Sequence, residues 1–144
     1  MTELIAQKLV EEYKDAGVAP NDVYPQSFSL DDVLYWVDQE PEFGQQAVYL
    51  DVWTYGPDFR SSLEDMQELA KQGVRILAPP IYVLLDVEGG DIVTSAYARQ
   101  ARQAGIDLIT WTLERSGPLT GGGGYYYQTV KEAIINDGDV MHML

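Results

Sequence analysis

The chain has 144 residues, 46% of them hydrophobic, with three tryptophans, enough for one domain with a buried core and unlike a disordered tail. Its 23 acidic and 9 basic residues give a net charge of −14, a field that repels phosphate backbones and anionic lipid and disfavours nucleic acid and membrane as partners. Zero cysteines exclude disulfides, thiolate metal sites and a cysteine nucleophile, and no apolar run nears the roughly 20 residues of a membrane span.

The first residues, with Glu3, Lys8, Glu11 and Glu12, lack the basic start and apolar middle of a signal peptide, leaving the compartment of any longer parent open. Leu4, Ile5, Leu9, Tyr13 and Ala16 recur at helical spacing, so residues 2–17 are predicted as an amphipathic helix stopped at Gly17. Pro20-Asn21-Asp22 turns the chain into a first strand, Val23-Tyr24-Pro25-Gln26-Ser27-Phe28. Ser29, with Asp32 three residues on, resembles a helix cap, and Leu30, Val33, Leu34 and Val37 give the apolar face as far as Glu40-Pro41-Glu42. Gly44 precedes a second strand, Val48-Tyr49-Leu50-Asp51-Val52-Trp53. Ser61 or Ser62 caps a helix carrying Leu63, Met66, Leu69 and Ala70, with Gly73 at its end.

A third strand, from Val74 to Ala78, is stopped by Pro79-Pro80, because proline supplies no ladder donor. The stretch from Ile81 to Leu85 reads as a brief extension or as part of a loop ending at Glu88-Gly89-Gly90. Thr94 or Ser95 caps the next helix, with Ala98, Ala101 and Ala104 packed and Gly105 closing it. A fourth strand over 106–113 and a glycine-rich loop over 117–124 lead to a last helix near 126–135.

Glycines 17, 44, 73 and 105 each stand just before a strand, about 30 residues apart, which gives a repeated helix–glycine–strand unit. The fold class is α/β, and residues 1–144 form one domain. Two architectures fit about four helix–strand units: part of a TIM (β/α)₈ barrel, or a small open doubly wound parallel sheet. A whole barrel needs at least about 200 residues, so this length holds only part of one. In either case ligands gather beyond the carboxyl ends of the strands, near Gln26, Asp51, Pro79 and Trp111.

Gln26-Ser27-Phe28 on a strand followed by a capped helix resembles the Gln-Ser-Phe strand of glycerophosphodiester phosphodiesterases. Residues 101–112, Ala-Arg-Gln-Ala-Gly-Ile-Asp-Leu-Ile-Thr-Trp-Thr, are similar to that family's helix–Gly–strand–Trp-Thr segment, in the same order and at a matching separation. The resemblance covers nearly the whole chain and corresponds to the C-terminal half of the family's barrel, without the N-terminal catalytic half or the closing strand. It implies hydrolysis of glycerophosphodiesters to an alcohol and glycerol 3-phosphate, with a divalent metal (Ca or Mg) and histidine acid/base groups supplied by the other half. This chain then lines the substrate side of the pocket, is inactive alone, and has as partners a small glycerophosphodiester and the missing barrel half, or a second copy by self-association. The apolar inner face of such a half barrel is expected to stand wet. The rival reading is a non-catalytic α/β interaction domain.

The candidate substrate-binding residues are Gln26, Trp111, Glu114 and Arg115, with no catalytic or metal-ligating residue assigned. Trp111 either fills core or packs its indole on a glycerol backbone while its N–H donates to an oxygen, and the resemblance implies the second. Gln26 ends an apolar run, where an amide meets a neighbouring loop or a ligand. Asp51 or Glu114 could touch a metal or orient a donor and Arg115 could face a phosphate, or each is a solvated or paired loop charge. Ser27 lacks a base, Gly121 to Gly124 lack the Lys-Ser/Thr of a nucleotide loop, Asp137-Gly138-Asp139 lacks further calcium ligands, and His142 lies two residues from the end.

Overall fold

The computed structural model describes residues 2–51, 62–112, 127 and 129–134. The elements in chain order are α1 (Thr2–Asp15), β1 (Gln26–Ser27), α2 (Leu30–Gln39), α3 (Pro41–Gly44), β2 (Val48–Tyr49), α4 (Leu63–Lys71), β3 (Ile76–Leu77), α5 (Ile81–Leu84), β4 (Leu85–Glu88), β5 (Asp91–Thr94), α6 (Ala96–Ala104) and β6 (Asp107–Leu108). Four strands pair in parallel in the order β1-β2-β3-β6, and β4 and β5 make a separate antiparallel pair. Apart from that hairpin, spatial order follows chain order.

Because side chains alternate along a strand, the register sorts the sheet into two faces. Gln26, Val48, Ile76 and Asp107 share one rung, and Ser27, Tyr49, Leu77 and Leu108 share the next, pointing the opposite way. Tyr49 and Leu77 belong to the main core with Ala6 and Val10 of α1, Val33 and Trp36 of α2, Met66 of α4, and Tyr97 and Ala101 of α6. The long helices therefore share a single core on one face, unlike a doubly wound sheet, whose helices cover both. Buried Trp36 fastens α2 to α1 by donating its indole N–H to the Ala6 carbonyl at 2.9 Å.

The second face is not left wet as expected. Val48, Ile76 and Ala78 are buried there, with half-buried Leu50 and Trp111 packed on them. At its rim Phe28 is 54% exposed and Ile109 40%.

Local chemistry sets most boundaries. Ser62 and Ser95 cap α4 and α6, each hydroxyl accepting the backbone N–H three residues on. Ser29 occupies the cap position of α2 but makes no side-chain cap bond. Ser27 Oγ instead ties the helix start to β1, accepting from Ser29 N at 3.0 Å and donating to Asp32 Oδ2 at 2.7 Å. The stretch after Pro79-Pro80 forms neither a strand extension nor a plain loop. It makes the single turn α5 and then the β4–β5 hairpin, closed at Gly89-Gly90 with φ of 63° and 96°, the positive values a two-residue hairpin turn requires. Strand β6 is shorter than predicted, although a parallel bridge between Pro80 and Trp111 carries its pairing further. In the region of the expected last helix, the described residues hold one 3₁₀ turn, Lys131–Ala133.

Gly44 is required by close approach. A Cβ placed there would sit 2.4 Å from the Trp36 carbonyl oxygen and 2.6 Å from Val37 Cα, both backbone atoms that cannot swing aside. Gly44→Ala is expected to destabilise the fold by about 1–3 kcal/mol, the usual cost of overpacking, read as a lower urea midpoint at unchanged slope. An unchanged midpoint would show that α2 and α3 are not held at this separation.

Candidate functional site

Three segments meet at the carboxyl ends of the parallel strands. Proline leaves β3 without donors at Pro79 and Pro80, so its neighbours supply them. Thr110 Oγ1 donates to the Pro79 carbonyl at 2.9 Å, and Ile81 N donates to the Trp111 carbonyl at 3.0 Å. The Ala78 carbonyl accepts twice: from Asp51 N at 3.1 Å and from Trp111 Nε1 at 2.8 Å. Both lone pairs of one backbone oxygen are thus used to tie the ends of β2 and β6 to β3.

Trp111 is held by this arrangement at backbone and ring. Its indole packs on Val48, Ile76 and Ala78 on one side and joins a second cluster of Ile81, Leu85, Tyr127 and Val130 on the other. Phe28, beyond β1, meets it edge-on, with ring centroids 6.2 Å apart and planes at 87°. Such T-shaped pairs place a positive ring edge against a negative ring face. The contact joins residues that follow the first and last strands of the sheet.

Trp111 therefore stands where the sequence places it, at the strand ends, but its expected hydrogen bond to a ligand is corrected: the N–H is given to Ala78. Gln26 is exposed and lies on the same sheet face, level with Val48 and two residues before Phe28, so it sits a layer below the aromatic pair. Glu114 and Arg115 lie outside the described residues, as do the glycine-rich loop, Asp137-Gly138-Asp139 and His142.

Asp51, read from sequence as a solvated or paired strand-end charge or a donor-orienting carboxylate, is buried and paired, with 7% of its surface exposed. It follows Tyr49 by two residues and so points to the helix side, where Tyr97 Oη of α6 donates to its Oδ2 at 2.7 Å. Burial, reinforced by the Asp51 charge and this hydrogen bond, pushes the Tyr97 phenol far above its usual value. The pair fastens α6 to the end of β2 and is no part of the mouth. Sequence reasoning missed Phe28 and Tyr97. Phe28 could have been found from its two-residue step beyond Gln26, whereas Tyr97 stands 46 residues from its partner and carries no local signal.

Because the folded state holds Tyr97 neutral, its contribution is fully present below the free phenol value of about 10 and is lost as pH rises above it. Urea unfolding between pH 8 and 11 is expected to show stability falling above pH 10 by up to about 1.4 kcal/mol per pH unit. Tyr97→Phe, which also removes a buried donor at a cost of about 1–3 kcal/mol at neutral pH, should flatten that slope. An equally steep fall in the variant would place the titrating group elsewhere.

No protein-family model matches the chain, and no solved structure matches it. The chain is similar to a protein of Arthroderma benhamiae named "Extracellular protein", with 40% identity over 147 residues that take in 99% of this chain. It spans 60% of that relative's length.

Proposed function

We propose that this chain is the substrate-side wall of a metal-dependent phosphodiesterase that hydrolyses glycerophosphodiesters to an alcohol and glycerol 3-phosphate, built as part of a (β/α)₈ barrel. The observation that carries this reading is the sequential all-parallel order β1-β2-β3-β6 with the long helices packed on one face. A barrel wall has that organisation, with its helices outside and its ligand at the carboxyl ends. The Gln26-Ser27-Phe28 and Trp111-Thr112 segments then stand on the inner side or at its rim, as the family resemblance requires.

In this reading Trp111 and Phe28 bound the pocket by shape, and Gln26 offers an amide one layer deeper. Glu114 and Arg115 remain candidates for orienting the phosphate side. The divalent metal that the resemblance implies does not fit the described residues, among which no group of three or more His, Cys, Asp or Glu side chains converges. In this proposal the metal and the acid/base groups belong to other parts of the whole protein. The printed name of the Arthroderma protein supports an extracellular location for this one as well.

The test compares the chain alone with the product of the complete gene, following glycerol 3-phosphate release from glycerophosphocholine with and without chelator. The chain alone is expected to show none, and the complete product chelator-sensitive turnover. In that product Trp111→Ala should lower kcat/KM by about 10–100-fold, as the loss of one positioning contact does. A complete product that hydrolyses no glycerophosphodiester would leave the chain as a non-catalytic α/β domain.

A further inference from the structure

Among the described residues, five large apolar side chains stand exposed: Leu4, Ile5, Tyr24, Phe28 and Ile109. None belongs to the central strands β2 and β3. Leu4 and Ile5 lie at the start of α1, Tyr24 and Phe28 flank β1, and Ile109 follows β6. Scattered exposed apolar residues are ordinary, whereas a set confined to the two lateral ends of a sheet marks surfaces for contact.

The backbone at both ends is open in the same way. Val48 N donates to Pro25 O and Leu50 N to Ser27 O, so β1 spends Pro25 and Ser27 on β2 and turns the N–H and C=O of Gln26 outward. At the other end Asp107 N and Ile109 N donate to Arg75 O and Leu77 O, which turns the backbone groups of Leu108 outward. Among the described residues no strand pairs beyond either edge. Such edges are templates for another strand.

The two ends are complementary in shape and charge. Beside β6, on the helix side, a cavity of about 290 Å³ is floored by Leu84, Ala98, Ile106 and Leu108, and exposed Arg102 also lines it. A crossover helix lies over the pair of strands it joins, so α1, which leads into β1, belongs over β1 and whatever strand pairs with its free edge. If that strand is β6 of another copy, the Leu4–Ile5 end of α1 comes to the cavity. Helix α6 carries Arg99 and Arg102 and no acidic residue, while α1 exposes Glu11, Glu12 and Asp15. Opposed charges of this kind fix the register of an interface.

We infer that the β1–α1 end of one copy of this chain binds the β6–α6 end of a second copy, strand parallel to strand. An interface between unlike ends closes into a ring when the rotation allows it, and here two such junctions join four strands and four into a closed eight-stranded barrel of two-fold symmetry. The inference rests on the sheet edges and not on the phosphodiesterase reading.

The experiment is sedimentation equilibrium of the full chain at about 0.15 M salt, which screens the net charge of −14 beyond about 8 Å. The expected mass is twice the 16.1 kDa of the chain. Gln26→Pro removes an outward N–H and leaves the Pro25 and Ser27 bonds to β2 in place, and Arg102→Glu reverses the charge beside the cavity. Each is expected to raise the dimer dissociation constant at least about tenfold. Ile5→Ser alters the same end as Gln26→Pro without touching a strand and should act likewise. An equimolar mixture of Gln26→Pro and Arg102→Glu should recover dimer, because one of its two junctions then carries neither change. A monomeric wild-type chain would overturn the inference and leave both edges to the rest of a longer protein. A series of masses beyond the dimer would overturn closure, and single variants that dimerise as tightly as wild type would overturn the pairing of unlike ends.

Discussion

The sheet depends most on the double use of the Ala78 carbonyl, the acceptor for both Asp51 N and Trp111 Nε1. With two consecutive prolines after Ala78, β3 has no backbone donor to continue its own ladder. The Ala78 carbonyl instead collects donors from the segments on either side. This turns Trp111 inward over Val48, Ile76 and Ala78, and so covers the face that no long helix reaches. Covering an aliphatic side chain is worth about 1.5–3 kcal/mol, so an uncovered strip of three residues would cost an appreciable fraction of a domain's net stability of about 5–15 kcal/mol. The same contact positions the aromatic pair. Stability and the proposed pocket thus share one anchor.

Two carboxylates, Asp51 just after β2 and Asp32 in the first turn of α2, show how environment separates roles. Asp51 is buried on the helix side, paired with a tyrosine whose proton is held fast, and serves attachment of α6. Asp32 is half-committed: one oxygen takes the Ser27 hydroxyl and the other is buried without a partner. A carboxylate oxygen buried without a partner concentrates negative potential locally. In a strongly acidic protein such local differences matter more than the net charge, because bulk salt screens the far field beyond roughly 8–10 Å.

Much of what local chemistry decides was legible in the sequence. The helix–strand units, caps narrowed to Ser61 or Ser62 and to Thr94 or Ser95, and the position of Trp111 at a strand end all follow from spacing, cap residues and proline. The β4–β5 hairpin was equally local, with Gly89-Gly90 between two alternating stretches, but beside Pro79-Pro80 it read as loop. Ser29 looked like a bonded cap because its spacing to Asp32 is right, and it does hold the cap position; the bond to Asp32 is made by Ser27, at the end of β1. The side to which Asp51 points and the meeting of Phe28 with Trp111 depend on strand register and sheet curvature, which bring together residues far apart in sequence. For the same reason the cover on the second sheet face was not foreseen, since it comes from Trp111 turning back over β2 and β3.

The measurement closest to the central claim is a crystal structure of the complete gene product with glycerol 3-phosphate bound. The expected result is a closed barrel in which β1-β2-β3-β6 forms one continuous wall, with the ligand beyond its carboxyl ends against the rings of Trp111 and Phe28. An open sheet, or a ligand seated away from those strand ends, would contradict it.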